Sequence, residues 1–254
     1  MIKLKTPEQI EKIARSGKIL SEVFQKTIEE AKIGTSLKHL DDLAYQLIKK
    51  AGAEPAFLGY KPSGAKHPYS ATICASINDI IVHGFPTDYK LKNGDILKLD
   101  FGVKYEGFYS DAAVTIGIGA ISKEAENLIK AAENALNEAI KIIKIGNTLG
   151  DIGFAISQTA KKYGVKAIKE LTGHGVGLKL HEDPTIYNYG EKGKGIKLKP
   201  GMVLAVEPMF AISTDKIIQK KDESWATADG SLSAHFEHTI AITEKEIKIL
   251  TRME

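Results

Sequence analysis

Residues 32–52 read KIGTSLKHLDDLAYQLIKKAG, and residues 144–164 read KIGNTLGDIGFAISQTAKKYG. The two stretches align without a gap at an offset of 112 (144 − 32), and Lys, Ile, Gly, Leu, Gln, Lys, Lys and Gly coincide at eight of the 21 positions. Two amphipathic helices can match this well by chance, so the alignment alone leaves duplication open. What duplication predicts is concrete: helix, glycine turn, helix and strands, occurring twice. Two copies are too few to stack as a solenoid. They suit one compact α/β domain with pseudo-twofold symmetry, its halves spanning about 1–120 and 121–254. A site between such halves draws residues from both.

The chain on either side fits this layout. Thr6-Pro7-Glu8-Gln9 reads as a capping box with proline at the first helical position. Ile10, Ile13, Ile19, Leu20, Val23 and Phe24 carry a helix toward Ala31, with Gly34 as its stop. Ser36 caps a second helix, which runs to Gly52. Residues 53–71 form a Pro/Gly-rich loop. Ile73 to Ser76, Ile96 to Val103, Tyr105 to Tyr109 and Ala112 to Ile118 read as strands. Helices are expected from Ser122 to Ile143 and from Thr148 to Tyr163, then short strands and glycine turns to the C-terminus.

Composition excludes several classes of function. The 254 residues are 43% apolar and 26% charged with a net charge of +3, ordinary values for a globular protein. Only Arg15 and Arg252 are arginines. Base reading leans on arginine's fork, so DNA is not an expected partner. The scattered lysines read as a solvated surface, compatible with a transient ribosome contact. Cys74 is the only cysteine, which excludes an internal disulfide and fits a reducing compartment. The N-terminus lacks a signal-peptide core, and no run of about 18 apolar residues occurs. A cytoplasmic location without membrane attachment is expected.

Four clusters carry chemistry. In residues 97–111, LKLDFGVKYEGFYSD, Asp100 is expected at the end of an apolar strand before a Gly102 bend, and Asp111 at the opening of the returning strand. Adjacent carboxylates in an apolar sheet repel and are costly to desolvate without a compensating cation. His174 stands in Gly173-His-Gly-Val-Gly177 ahead of His181-Glu-Asp-Pro184, where glycines let backbone approach a ligand. Glu207 ends the apolar run 203–206, and Glu237 opens the run 237–242. Singly these read as turn aspartates, a structural histidine and capped strand ends. Together, four carboxylates and an imidazole at strand termini form a set that oxygen-preferring divalent metals favour. Five ligands exceed the need of a catalytic mononuclear zinc. They suit two ions about 3.5–4 Å apart sharing bridging carboxylates.

The order Asp, Asp, His, Glu, Glu, the step of eleven between the aspartates (111 − 100), and the motifs SINDIIVHG, GHGVG…HEDP, EPM and SLSAHFEHT resemble the type I methionine aminopeptidases. The resemblance runs from the Thr6-Pro7 helix to about Thr251. It implies the pita-bread α/β (α+β) fold, two pseudo-symmetric halves around a central antiparallel sheet. It also implies removal of the N-terminal methionine from nascent proteins and peptides, with a small second residue preferred. Asp100 resembles the chelating aspartate of one metal, Asp111 and Glu237 the bridging carboxylates, His174 and Glu207 the ligands of the other. A metal-bridging hydroxide would attack the first peptide carbonyl, with Glu207 helping to shuttle a proton. His83 and His181 resemble the histidines that contact the scissile amide and its transition state. Phe57, Tyr60, Cys74 and Trp225 stand where the family's methionine pocket is lined. Fe2+, Mn2+, Co2+ and Zn2+ all suit the ligand set. A monovalent cation is implied at backbone carbonyls near Asn78, Ile80 and Ser233, and a monomer is expected.

Three positions depart from the family's pattern. The loop Lys61–Tyr69 is longer and more broken by glycine and proline, Leu180 replaces a common aromatic before His181, and His235 replaces the usual glutamine before Glu237. Prolidase and aminopeptidase P share the five ligands but carry a large N-terminal domain, for which a helix starting at Thr6 leaves no room. Type II methionine aminopeptidases carry a helical insertion that the spacing from His174 to Glu207 lacks. A pita-bread binding module that has lost catalysis would be expected to lose ligands, and all five are present.

Overall fold

The computed structural model describes residues 2–61 and 64–253; Pro62, one of the expected breaks in the 61–69 loop, lies outside them. The elements in chain order are α1 (Pro7–Glu30), α2 (Leu37–Lys50), β1 (Glu54–Pro55), β2 (Cys74–Ile77), β3 (Ile80–Val82), β4 (Ile96–Tyr105), β5 (Phe108–Gly117), α3 (Lys123–Ile142) and α4 (Leu149–Tyr163). Short strands follow: β6 (Lys166–Ala167), β7 (Thr172–Gly175), β8 (Glu182–Tyr187), β9 (Val203–Val206), β10 (Met209–Ala211), β11 (Ile217–Gln219), β12 (Trp225–Thr227), β13 (Ser233–His235), β14 (Glu237–Ile242) and β15 (Ile247–Ile249).

The helix signals act as the sequence suggests. Thr6 and Gln9 form the reciprocal capping box of α1, Ser36 accepts from the His39 amide at the start of α2, and Thr148 and Asp151 form a second box at α4. Helix α1 closes at Ala31, before Gly34, which instead turns the chain after the helix with φ +90°. The matched repeats also share backbone geometry. Gly34 and Gly146 have φ +90° and +92°, and Gly52 and Gly164 have +74° and +71°, both pairs at the offset of 112 (146 − 34, 164 − 52). Each stretch docks the same kind of passing segment: Gly34 donates to Leu91 and Leu37 to Tyr89, as Gly146 donates to Leu198 and Leu149 to Ile196.

Among the described residues the main sheet runs β1-β4-β5-β14-β9-β7-β8, with β2 added to β4 and β15 to β14. Every pairing in it is antiparallel. Helix α1 covers one face of β4 and β5, where Phe24 stacks on Phe101 with ring centroids 4.0 Å apart. Ser16, also on α1, donates to the Val103 carbonyl beneath it. Alternation along a strand then puts Asp100 on the opposite face from Phe101. The expected strand Tyr105–Tyr109 does not exist: its centre, Glu106-Gly107, has positive φ at both residues and forms the hairpin turn between β4 and β5.

Strands β5 and β14 meet over only two register pairs, Glu237 with Ala113 and His238 with Ala112. Two threonines extend this junction. The Thr239 hydroxyl donates to the Asp111 carbonyl at 2.8 Å and accepts from the Asp111 amide at 2.9 Å. The Thr115 hydroxyl does the same to His235, donating to its carbonyl at 2.7 Å and accepting from its amide at 2.8 Å.

Candidate metal centre

The register of the central strands assembles the site. Ala113 lies opposite Asp100 on one side and Glu237 on the other, and Asp111 lies opposite Gly102. Asp100, Asp111 and Glu237 therefore share one face and surround a methyl group and a glycine, the two smallest side chains available. This corrects the expected placement at strand ends. Asp100 and Asp111 sit inside ten-residue strands, diagonal to each other, and Gly102 continues β4 rather than bending it. A Cβ at Gly102 would come within 2.9 Å of the Ser110 carbonyl, so close strand approach demands the glycine.

His174 comes from β7, which lies on the far side of β9 from β14. Its neighbouring glycines serve the sheet: a Cβ at Gly173 would lie 2.5 Å from the Ala205 oxygen, and one at Gly175 2.2 Å from the Asp183 oxygen. The expectation that they admit a ligand to the backbone is thus corrected, since strand backbones fill that space. The His174 Nδ1 lies 2.9 Å from the Gly175 carbonyl. A carbonyl only accepts, so Nδ1 carries the proton and Nε2 keeps its lone pair, the arrangement a metal-ligating imidazole uses. That Nε2 is 3.5 Å from Glu207 Oε1 and 3.8 Å from Asp111 Oδ2. Glu207 follows directly on β9, and its other oxygen is 3.4 Å from His235 Nε2.

Two groups of donor atoms lie within 4.8 Å of one another: Asp111, His174 and Glu237, and Glu207, His235 and Glu237. Asp100 joins them through the shared face. The carboxylates stand in an environment hostile to charge. Burial raises Asp100 to about 7 and Glu207 to about 7, with Glu207's charge adding to the rise at Asp100. Burial, then Asp100 and Glu207, push Asp111 well up, and burial, then Asp111, Glu207 and Asp100, do the same to Glu237. Asp100 Oδ1, Glu237 Oε1 and both ring nitrogens of His235 are buried without a hydrogen-bond partner. Buried polar atoms are rarely left so. Oxygen and nitrogen donors left free, on carboxylates that repel one another, fit a cationic metal centre.

A cavity of about 890 Å³ opens over these residues. Phe57, Tyr60, Cys74, His83, His181 and Trp225 all line it. His181 Nδ1 is 2.8 Å from the Tyr60 hydroxyl, and its ring centroid is 4.3 Å from that of His174. Loss of solvent around the rings lowers His83 to about 4, with His235 contributing, and His181 to about 3, with His174 and His83 contributing. Both rings are thus neutral near pH 7, able to donate from one nitrogen and accept at the other.

Sequence reasoning left Tyr69, Phe85 and Met209 unassigned, yet they line the same cavity. Tyr69 sits edge-on to both Phe57 and Phe85. Its amide donates to the Tyr60 carbonyl and its carbonyl accepts from Gly59, pinning the base of the irregular loop. Leu180 is buried, and it also reaches the cavity. Met209 was in view as the last residue of the EPM motif.

The oxygens near Asn78, Ile80 and Ser233 have a partner of their own. Lys98, two residues before Asp100 on the same face, is 1% exposed. Its Nζ donates to the Asn78 carbonyl at 2.7 Å, the Ser233 carbonyl at 3.2 Å and the Ser233 hydroxyl at 3.3 Å. Burial lowers its pKa to about 7 against the pull of Asp79.

The site and the sheet that builds it define a metallopeptidase: the chain belongs to metallopeptidase family M24, which it matches over residues 11–244. A methionine aminopeptidase of Aquifex aeolicus is 44% identical over 259 aligned positions, covering 99% of each chain. The crystal structure of a methionine aminopeptidase from Thermotoga maritima superposes with a TM-score of 0.94 at 40% identity, over 99% of this chain and 100% of that one. The prolidase of Pyrococcus furiosus superposes less well, with a TM-score of 0.77 at 25% identity, and only 66% of its chain is matched. Within the family the chain takes its place among the methionine aminopeptidases, with their pita-bread fold. Among the described residues no helix is long and apolar enough to cross a membrane.

Proposed function

We propose that the chain removes the initiator methionine from nascent polypeptides with two divalent ions, held by Asp100, Asp111, His174, Glu207 and Glu237. The observation that carries this is the gathering of Asp100, Asp111 and Glu237 around Ala113, with His174 and Glu207 brought alongside, every carboxylate's pKa raised and buried donor atoms left free. Asp100 would hold one ion and His174 and Glu207 the other, with Asp111 and Glu237 available to both. His235 supplies a nitrogen beside Glu207, a donor that biases metal choice toward imidazole-preferring ions. Bound ions would lower the pKa of a water and polarise the scissile carbonyl.

The chain's own groups do the rest. Glu207, beside the reacting centre, can take a proton from the attacking water and return it to the departing amine. His83 and His181 hydrogen-bond the scissile amide as neutral imidazoles, and Tyr60 steadies His181. Phe57, Tyr60, Cys74 and Trp225 receive the methionine side chain, since a thioether packs well against aromatic edges. The Cys74 thiol, buried and facing Asp100, is held protonated and acts there as an apolar wall. A small second residue is preferred because bulk beside the ions crowds the His174–His181 wall. The chain forms one catalytic domain of two related halves, about 1–120 and 121–254, works as a cytoplasmic monomer, and meets its substrate at the ribosome through its lysine-rich surface.

The test is hydrolysis by protein reconstituted with Mn2+, Fe2+, Co2+ or Zn2+. Release of methionine from Met-Ala-Ser, and its loss in His174→Ala, is the expected result. Protein that left this peptide intact while cutting X-Pro peptides would overturn the proposal.

A further inference from the structure

We infer that Lys98 takes the place of a monovalent cation, and that this chain neither needs nor binds one at Asn78, Ile80 and Ser233. A ring of inward-facing oxygens is a cation site only while those oxygens are free. Here Nζ reaches two of the three carbonyl-bearing residues directly. The third, Ile80, has its carbonyl 3.1 Å from the Ser233 hydroxyl, within donating range. Acceptor counting closes the set. The Asn78 carbonyl takes the Ser233 amide at 3.0 Å and Nζ on its two lone pairs. The Ser233 hydroxyl gives its proton to Ile80 and offers a lone pair to Nζ. An ammonium satisfies all three acceptors around it, and a neutral amine still occupies the space.

The backbone is shaped for this contact. Asn78 adopts φ +51°, a left-handed conformation that asparagine tolerates better than most residues. Its side chain is clamped to the start of β4 by Asp95 and the Ile96 amide. Lys98 therefore ties three segments together: β4 two residues before Asp100, the turn between β2 and β3, and β13 two residues before His235. A free ion in that place would exchange with the medium. A tethered amine has effectively fixed occupancy, so the arrangement of Asp100 relative to β13 no longer depends on the ionic composition around the protein.

The divalent-metal-loaded protein is melted in KCl, NaCl and tetramethylammonium chloride at one ionic strength, with methionine release followed in parallel. Binding to the native state alone raises the melting temperature in a saturable way, so the wild type is expected to move by less than about 1 °C between the three salts. Lys98→Ala opens the oxygens and is expected to gain a saturable rise of several degrees in K+ or Na+ but not in tetramethylammonium. A wild-type protein with such a K+- or Na+-specific rise would overturn the inference. So would a folded Lys98→Ala protein indifferent to all three salts. If Lys98→Ala does not fold, the wild-type comparison decides. The melting readout does not depend on which peptide the chain cleaves, so it separates this inference from the proposed activity.

Discussion

At the scale of single residues, the centre is a set of groups whose pKa values have been pushed the wrong way for an isolated site. Carboxylates that ionise near 4 in an unfolded chain are raised to about 7 at Asp100 and Glu207 and pushed well up at Asp111 and Glu237. As pH rises past the unfolded values, the unfolded chain loses protons that the metal-free native state keeps, so stability falls with rising pH. The histidines with lowered pKa act in the opposite sense. His83, His235 and His238 are lowered to about 4 and His181 to about 3, which costs stability as pH falls below 6.5. As pH climbs past 6.5 the histidines become neutral in both states, leaving the carboxylates to set the slope. Chelator-treated protein should therefore melt at progressively lower temperature from pH 6.5 to 8, and added Mn2+ should remove that decline. A flat profile without metal would show that the cluster is not strained by its own charge.

At the scale of elements, the β5–β14 junction is where side chains replace ladder bonds. Thr239 on β14 closes a donor and acceptor pair on Asp111 of β5, and Thr115 on β5 closes one on His235, the last residue of β13 just ahead of β14. Replacing either by valine keeps the shape but strands a buried amide and carbonyl. An unsatisfied buried group costs about 1–3 kcal/mol. Thr115→Val and Thr239→Val should each lower unfolding free energy by about that much, measured by urea denaturation, and a change near zero would assign the junction's strength elsewhere. The junction also marks how far the sequence could be read. The carboxylates of the candidate centre are legible as a set because a carboxylate inside an apolar run has few structural uses. Their register is not: strands end where partners end, so ten-residue β4 runs through a Gly102 that composition alone makes look like a bend. The glycines around His174 were legible as important and misread in purpose, because neighbouring strand backbones are invisible in a single stretch of sequence. Lys98 was passed over for the same reason. In Leu97-Lys98-Leu99 it reads as the solvent-facing residue of an alternating strand, and only the fold reveals the three oxygens it meets.

At the scale of the whole molecule, the strands before α3 and those after it form two contiguous blocks of one sheet, β1-β4-β5 and β14-β9-β7-β8, joined only at β5 and β14. Asp100 and Asp111 belong to the first block, and His174, Glu207 and Glu237 to the second. Ions shared by those residues would act as rivets through a narrow joint, fastening two plates whose strands meet at only two register pairs. Loss of the rivets should let the plates part locally before either plate unfolds. Amide hydrogen exchange at Ala112, Ala113, Glu237 and His238 is expected to quicken on metal removal, while Leu99 and Phe101 inside the first plate stay protected. Metal supply would then govern the protein's mechanical integrity as well as its chemistry, and a cell short of the ion would hold an enzyme that is loosened at its joint as well as idle.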